Sequence, residues 1–247
     1  YDVVIICSPE LPIIKFWKSL GIKNVFNINQ LPVAPNYNEF KHNCNLIKNF
    51  DEIDKLKFCN VNFGTYVSAT IMRQFQLVDL DLKNQSIRKT LNSFIFKSLS
   101  YVKGAMNLYE RFKPDIVYMM DQNYTPRGEF FDFFINKNVK IITSNTAHVA
   151  NHFILKKYSQ SNKHEHPRGI SNKNWSSVKK EDWNDIRWNE LKNELEKCYS
   201  SGSWIPSGAT ASFSMTGSDF DLYSEFNLDP NKKTAIIFSH ILWLSLI

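Results

Sequence analysis

The sequence predicts an α/β protein in which short apolar strands alternate with amphipathic helices. Two segments of the chain, residues 2–28 and residues 114–143, each have the pattern strand, helix, strand. Between them, residues 85–112 carry apolar side chains at intervals of three and four, which is typical of a long amphipathic helix. Strands that alternate with helices favour a parallel sheet covered by helices, and thus a Rossmann-like domain.

The first strand–helix–strand unit begins with residues 2–7, an almost continuous apolar run typical of a strand covered on both faces. Helical spacing over residues 10–20 ends at Gly21, a residue suited to the position just past a helix. Residues 23–28 then predict a second strand.

A long connection is predicted next, because residues 29–49 are rich in Asn and Pro. Residues 51–57 predict a short helix. Gly64 indicates a turn or a close approach of two backbones, since glycine has no side chain to obstruct either.

The second unit gives the clearest pattern in the chain. Pro114 ends the long helix, because proline disfavours helical geometry in the residue before it. Residues 116–120 predict a short buried strand, residues 126–137 a helix with Pro126 in its first turn, and residues 139–143 another strand.

The last third of the chain is more polar. Residues 160–184 predict loops or short helices, and residues 181–199 an amphipathic helix. Within that helix, the five-residue spacing of Trp183 and Trp188 predicts packing against two neighbouring surfaces. Residues 200–218 are rich in small residues and predict a linker or a substrate loop.

The domain organisation follows from the end of the chain. A short helix is predicted near residues 218–226, and a strand over residues 234–239. We expect a Rossmann-like domain over residues 1–228, and a linker with the first strand of an incomplete second domain over residues 229–247. Both ends are apolar, which predicts a fragment of a longer protein.

Composition excludes several classes of protein. With 43% hydrophobic and 22% charged residues, the chain is not disordered, and it has no apolar run of about 20 residues that could span a bilayer. A net charge of +6 favours phosphates or anionic surfaces, but the dispersed cations show no nucleic-acid-binding pattern. The four cysteines are scattered, which argues against a zinc site or a disulfide framework and favours a reducing compartment.

Candidate site residues follow the predicted strands, where open α/β sheets bind ligands. Ser8 follows the first strand, His148 follows residues 139–143, and His240 follows residues 234–239. The loop after residues 116–120 brings an acid, an amide, a phenol and a guanidinium together in Asp121, Asn123, Tyr124, Arg127 and Glu129. This set could hold sugar hydroxyls or a phosphate; the alternative is a plain loop in which Asp121 or Thr125 caps the next helix.

Three further groups of polar residues leave alternatives open. His148 and His152 would share a helix face, but without the acid of an HExxH motif we favour a surface or sugar-contacting histidine over a metal ligand. His166 and Arg168 belong either to a mobile solvated loop or to an acceptor or phosphate contact. Arg73 either forms a structural ion pair or faces a cleft.

Motifs of three enzyme classes are missing from the sequence. It contains no GxGxxG, no GxxxxGK[ST] and no GxSxG. This argues against a dinucleotide-binding Rossmann site, a P-loop NTPase and an α/β-hydrolase.

Three segments together resemble the N-terminal half of bacterial glycosyltransferase-like proteins from capsule and surface polysaccharide gene clusters. They are the Lys113–Tyr118 strand with its Asp-Gln-Asn-Tyr loop, the His166-Pro167 segment before a Trp-bearing helix, and the stretch from Asp229 to Trp243. The resemblance covers residues 100–243. It implies a GT-B architecture, with two Rossmann-like domains facing each other across a cleft.

Such a protein transfers a sugar from a nucleotide-sugar donor to a growing surface polysaccharide. The resemblance implies that this chain is the acceptor half, which is inactive alone, and that it needs neither metal nor cofactor. It also implies a cytoplasmic protein, with peripheral association with the inner membrane as a further expectation. Asp121 and His148 are the candidate catalytic bases. The candidate substrate-binding residues are Ser8, Arg73, Asn123, Tyr124, Arg127, His166, Arg168 and His240. The alternative is a non-catalytic, two-lobed protein that binds a carbohydrate or a nucleotide.

Overall fold

The computed structural model describes residues 2–76, 81–147, 152–201, 222–229 and 231–233. These residues form a mixed α/β structure in which helix predominates and the sheets are small, which confirms the α/β part of the predicted fold class. They divide into two compact units. The first unit holds residues 2–143 and 157–163 of the described chain, and the second holds residues 144–156 and 164–233.

The first unit begins with the predicted strand–helix–strand arrangement: β1 (Val4–Cys7), α1 (Leu11–Ser19) and β2 (Asn24–Asn27). The two strands are parallel. Gly21 has a φ of 82°, as expected for the residue that reverses the chain after a helix. The prediction that this strand is covered on both faces is wrong, because no residue of β1 is fully buried.

The predicted long connection over residues 29–49 is also wrong, because it contains a helix, α2 (Tyr37–Asn45). Asn36 caps this helix by accepting a hydrogen bond from the backbone N–H of Glu39 at 2.8 Å. The carboxylate of Glu39 in turn accepts from the backbone N–H of Asn36 at 2.9 Å. This reciprocal capping box stabilises a helix start in a polar, proline-containing stretch. The short helix predicted at residues 51–57 is a 3₁₀ helix, Phe50–Lys55.

The core of the first unit lies between α3 (Phe63–Phe75), α4 (Gln85–Phe112) and α5 (Arg127–Asn136). The long helix has the predicted bounds. Gly64 lies against the carbonyl of Ile53, where a Cβ would collide with the carbonyl oxygen, so the predicted close approach is confirmed. Most of the fully or nearly fully buried side chains are apolar, and they include Phe63, Val67, Ile71, Leu91, Ile95, Leu99, Phe131 and Phe133.

The second sheet contains β3 (Ile116–Met119), β4 (Lys140–Thr146) and β5 (Phe153–Tyr158), in the order β3-β4-β5. β3 and β4 are parallel, and Met119 lies opposite Thr143. In the described residues this sheet is separate from the β1–β2 sheet. The predicted burial of β3 is wrong, since the side chains on one face of the strand are exposed, Tyr118 at 62%.

The second unit contains α6 (Asn172–Val178), α7 (Asp185–Ser201) and α8 (Leu222–Glu225). The prediction that Trp183 and Trp188 pack against two neighbouring surfaces is wrong. Their rings contact each other, with the centroids 6.4 Å apart. The reason is that α7 begins at Asp185, so Trp183 lies on the preceding turn and folds back onto the helix. Most of the predicted small-residue linker, the strand predicted at residues 234–239 and the end of the proposed second domain lie outside the described residues.

Candidate functional site

The loop that follows β3 carries four of the predicted site residues. Asp121 accepts hydrogen bonds through Oδ1 from the backbone N–H groups of Gln122 at 2.7 Å and Asn123 at 3.1 Å. Its second oxygen, Oδ2, lies 3.3 Å from a guanidinium nitrogen of Arg127, with which it forms an ion pair. Asp121 therefore both turns the chain after the strand and holds Arg127 beside the loop.

Neither Asp121 nor Thr125 caps the next helix, so the alternative interpretation of this loop is wrong. The N-cap residue of α5 is Pro126, which makes no side-chain cap. Asp121 accepts from amides that precede the helix, and the Thr125 hydroxyl donates to Glu129.

Arg73 reaches this loop from the last turn of α3. Its guanidinium carbon lies 4.7 Å from the centroid of the Tyr124 ring, which is a cation–π contact. Arg73 is exposed, so the outer side of the guanidinium faces solvent. The structure thus brings together Asp121, Asn123, Tyr124, Arg127 and Arg73, and it shows no ion pair of Arg73 with another described residue.

Beneath the loop lies Glu129, which is fully buried. Its Oε1 accepts hydrogen bonds from the hydroxyl of Ser98 on α4 and from the hydroxyl of Thr125, the latter at 2.7 Å. The backbone N–H of Thr125 donates to the hydroxyl of Thr70 on α3 at 3.0 Å. These contacts tie the loop to three helices, so that its exposed polar groups stand on a rigid support.

Burial raises the pKa of Glu129 to about 7, although the hydrogen bonds from Ser98 and Thr125 act in the opposite direction. Its other oxygen, Oε2, is buried and has no hydrogen-bond partner among the described residues. Burial also raises the pKa of Tyr66 on α3 and of Tyr101 on α4, and the nearby carboxylates, Glu129 for both, add to this effect. The region is therefore a low-dielectric pocket of hydroxyl and carboxyl groups.

Two more buried polar side chains, those of Gln122 and Thr143, lie near the carboxyl end of β3. Gln122 follows β3, and Thr143 is the last residue of β4 that pairs with β3. Gln122 Oε1 and Thr143 Oγ1 are both buried and lack a hydrogen-bond partner within the described part of the chain. Buried polar atoms are nearly always paired in proteins, so this edge of the sheet has unused hydrogen-bonding capacity.

The other predicted site residues lie apart from this cluster. The Ser8 hydroxyl donates to Glu10 at 3.3 Å in the loop after β1, and no hydrogen bond or ion pair between described residues joins it to the loop after β3. His148 and His240 lie outside the described residues. His152 directly precedes β5 and is therefore not on a helix.

His166 and Arg168 belong to a turn in the second unit. The backbone N–H of Arg168 donates to Nδ1 of His166 at 3.2 Å. The nearly buried ammonium group of Lys156 donates to the carbonyls of His166 at 2.8 Å and Gly169 at 3.1 Å, and it pairs with Glu165 at 2.9 Å. The segment is thus a hydrogen-bonded turn, from which the side chains of His166 and Arg168 extend into solvent.

The sequence pointed to Glu129 only as one of several polar neighbours. Its burial could not be predicted from local spacing, because Ser98, its partner on α4, lies 31 residues away in the chain. One signal was present: the helix after residue 126 carries four phenylalanines within five residues, directly after Glu129, which indicates that this carboxylate is also enclosed.

The described residues contain no group of three or more His, Cys, Asp or Glu side chains arranged to hold a metal ion. Among the helices in that part of the chain, none combines the length and apolarity needed to cross a membrane. Comparison of the chain with protein-family models, curated proteins and solved structures gave no match.

Proposed function

We propose that this chain is the acceptor-binding part of a GT-B-type glycosyltransferase with a Rossmann-like N-terminal domain. The enzyme would transfer a sugar from a nucleotide-sugar donor to a growing bacterial surface polysaccharide, in the cytoplasm or at the inner membrane. One observation carries the proposal. At the carboxyl end of a parallel strand pair, the Asp121–Arg127 ion pair and the Arg73–Tyr124 stack lie on one rigid loop and its neighbouring helix.

The chemistry of this loop suits a carbohydrate. A carboxylate and an amide, from Asp121 and Asn123, can accept from and donate to sugar hydroxyls, and the ring of Tyr124 can pack against the apolar C–H face of a sugar. Two exposed guanidinium groups, from Arg73 and Arg127, can bind phosphate oxygens. Gln122 and Thr143 add buried polar atoms that still lack partners.

Asp121 is the proposed base. Its Oδ1 is occupied by two backbone amides, whereas Arg127, whose side chain is partly exposed, is the only described residue that holds Oδ2. When Arg127 turns to a phosphate of the substrate, Oδ2 becomes free to accept the proton of an acceptor hydroxyl. His148 remains a second candidate for this step, on sequence grounds alone.

The test combines binding with transfer. The complete protein would be screened by thermal shift with nucleotides, nucleotide sugars and glycans, and then by mass spectrometry for a lengthened glycan. Asp121→Asn should retain binding but lose transfer, and Arg127→Gln should weaken binding. The matched control is Lys89→Gln, which removes an exposed charge on α4.

Two results would count against the proposal. If no compound shifts the unfolding midpoint, the loop is not a carbohydrate or nucleotide site. If compounds bind at this loop but no transfer is detected with any donor, the alternative of a non-catalytic binding protein is favoured.

A further inference from the structure

A cleft with a volume of about 320 Å³ lies at the end of the β3–β4 pair where the two strands begin. It is formed where α4 and α5 end and where the two strands begin, so it is remote from the loop that follows β3. Three lysines line it, Lys113, Lys137 and Lys140, together with a single acidic residue, Asp115. We call it the basic cleft.

The protein neutralises only part of the charge of the basic cleft, since three lysines and Asp115 leave it with a formal charge of +2. All three lysines are exposed, as is Asp115. No ion pair or hydrogen bond of any of the three ammonium groups is found within the described residues. Three like charges around one concave surface repel one another, and an anion placed between them removes that repulsion.

A structural role at the helix ends does not account for these lysines. Lysine side chains often hydrogen-bond the last carbonyls of a helix. Here backbone amides already do so: Lys113 donates to Tyr109 at 2.8 Å at the end of α4, and Val139 donates to Phe134 at 3.0 Å at the end of α5. The lysine side chains are therefore available for another partner.

One of the three ammonium groups has a defined position. Lys137 lies over two aromatic rings, 5.4 Å from the centroid of Tyr109 and 5.7 Å from that of Phe133. Cation–π contacts of this kind hold a flexible side chain in place without neutralising its charge. This lowers the entropy cost of binding an anion at the cleft.

We propose that the basic cleft binds a polyvalent phosphate group, either in a free small molecule or in the headgroup of an anionic lipid. Lysine binds phosphate as a point charge, and several lysines around one site favour a ligand with more than one negative charge. The volume lies near the lower end of the range for small-molecule pockets, roughly 300–1,000 Å³, which suits a diphosphate or a phosphorylated headgroup. This proposal does not depend on the proposed transferase activity, since it concerns the opposite end of the strands.

The test uses the whole chain and two probes. Calorimetric titration with inorganic pyrophosphate at low salt measures binding of a free phosphate. Flotation with vesicles of equal parts phosphatidylcholine and phosphatidylglycerol, against vesicles of phosphatidylcholine alone, measures binding of a headgroup. The test variant is the triple substitution Lys113→Gln, Lys137→Gln and Lys140→Gln. The matched control removes three exposed lysines elsewhere in the same unit, at Lys23, Lys83 and Lys89.

We expect the cleft variant to bind the active probe on the order of a hundredfold more weakly, at about fivefold per lysine, and the control variant to bind within about threefold of the original chain. Replacement of the same three residues by arginine should restore most of the binding. This result would show that the glutamine variant binds weakly because it has lost charge, and not because it is misfolded. Pyrophosphate binding without flotation would assign a free ligand, and flotation would assign a headgroup. The proposal is overturned if neither probe binds, or if both glutamine variants lose binding equally, because net charge alone would then explain the effect.

Discussion

The buried carboxyl of Glu129 allows the sharpest prediction from this structure, the effect of Glu129→Gln on the pH dependence of stability. Glutamine has nearly the same shape as glutamate and cannot ionise. Its side-chain oxygen can still accept from the hydroxyls of Ser98 and Thr125. The substitution therefore removes the titration of residue 129 while it leaves the packing of α5 unchanged.

The magnitude follows from the raised pKa. Glu129 titrates at about 7 in the folded chain, against the ordinary value of 4.5 that it has when unfolded. Below about pH 4.5 the carboxyl is protonated in both states, and its contribution to stability is complete. Between about pH 4.5 and about 7 the unfolded chain releases this proton while the folded chain keeps it, so each rise in pH favours the unfolded chain, and the contribution is lost once the pH passes about 7. Between about pH 5 and about pH 8 the loss amounts to roughly 2–3 kcal/mol.

The assay is urea unfolding of the original chain and of Glu129→Gln at both pH values. The difference between the two pH values should be roughly 2–3 kcal/mol larger in the original chain, because all other titrating groups cancel in the comparison. At the lower pH the variant should be the less stable of the two, since its buried amide nitrogen has no acceptor. Glu110→Gln, on the exposed face of α4, serves as the control and should leave the pH difference unchanged.

One result would refute this reasoning. If Glu129→Gln retains the full pH difference of the original chain, the carboxyl of Glu129 does not titrate near neutral pH. Glu129 influences two neighbouring groups, Tyr66 on α3 and Tyr101 on α4, whose pKa values are raised chiefly by burial and which stay neutral over this range. Neither of them can imitate the expected change.

Two further predictions concern contacts that hold the first unit together. Gly64→Ala should destabilise the chain by about 2 kcal/mol or more in urea unfolding, because the added Cβ collides with the carbonyl of Ile53 on a rigid backbone. Lys163→Gln should destabilise the chain by about 1–3 kcal/mol at neutral pH. The reason is that the carboxylate of Asp132, whose side chain is 4% exposed, loses the Lys163 ammonium group 3.1 Å away. Among the described residues it then keeps only the hydrogen bond from the backbone N–H of Asn62.

Each of these predictions has its own control. For Gly64→Ala the control is Lys89→Ala, on the exposed surface of α4, which should change the free energy of unfolding by less than about 0.5 kcal/mol. If Gly64→Ala stabilises the chain, the predicted collision is contradicted. Lys192→Gln breaks an exposed pair with Glu196 and should cost less than about 0.5 kcal/mol. Equal effects of Lys163→Gln and Lys192→Gln would show that the burial of Asp132 does not matter.

Local patterns in the sequence predicted several elements well. The helix from Gln85 to Phe112 has its predicted bounds, since its apolar spacing and the proline after it are properties of the chain segment itself. The sequence did not lead us to α2, although Asn36 and Glu39 carry its capping signal, because prolines and asparagines around them favour a loop. It also missed β5, whose pairing with β4 depends on residues outside its own segment.

The candidate site also combines contacts that the sequence could predict with contacts that it could not. The ion pair between Asp121 and Arg127 joins residues six positions apart, so it could be predicted from the loop alone. The bond between Thr125 and Thr70 joins residues 55 positions apart, and no periodicity in either segment indicates it. The stack of Arg73 on Tyr124 joins residues 51 positions apart in the chain.

The sequence by itself therefore determined the alternation of strands and helices, the position of the long helix and the polar loop after β3, because each depends on neighbouring residues. The tertiary structure alone decided which polar groups are buried and which charges remain unpaired. Glu129 is enclosed because α4 packs over it, and Lys113, Lys137 and Lys140 meet at one cleft because two helices end where two strands begin. Burial and charge depend on distance in space, which the order of residues along a chain does not specify.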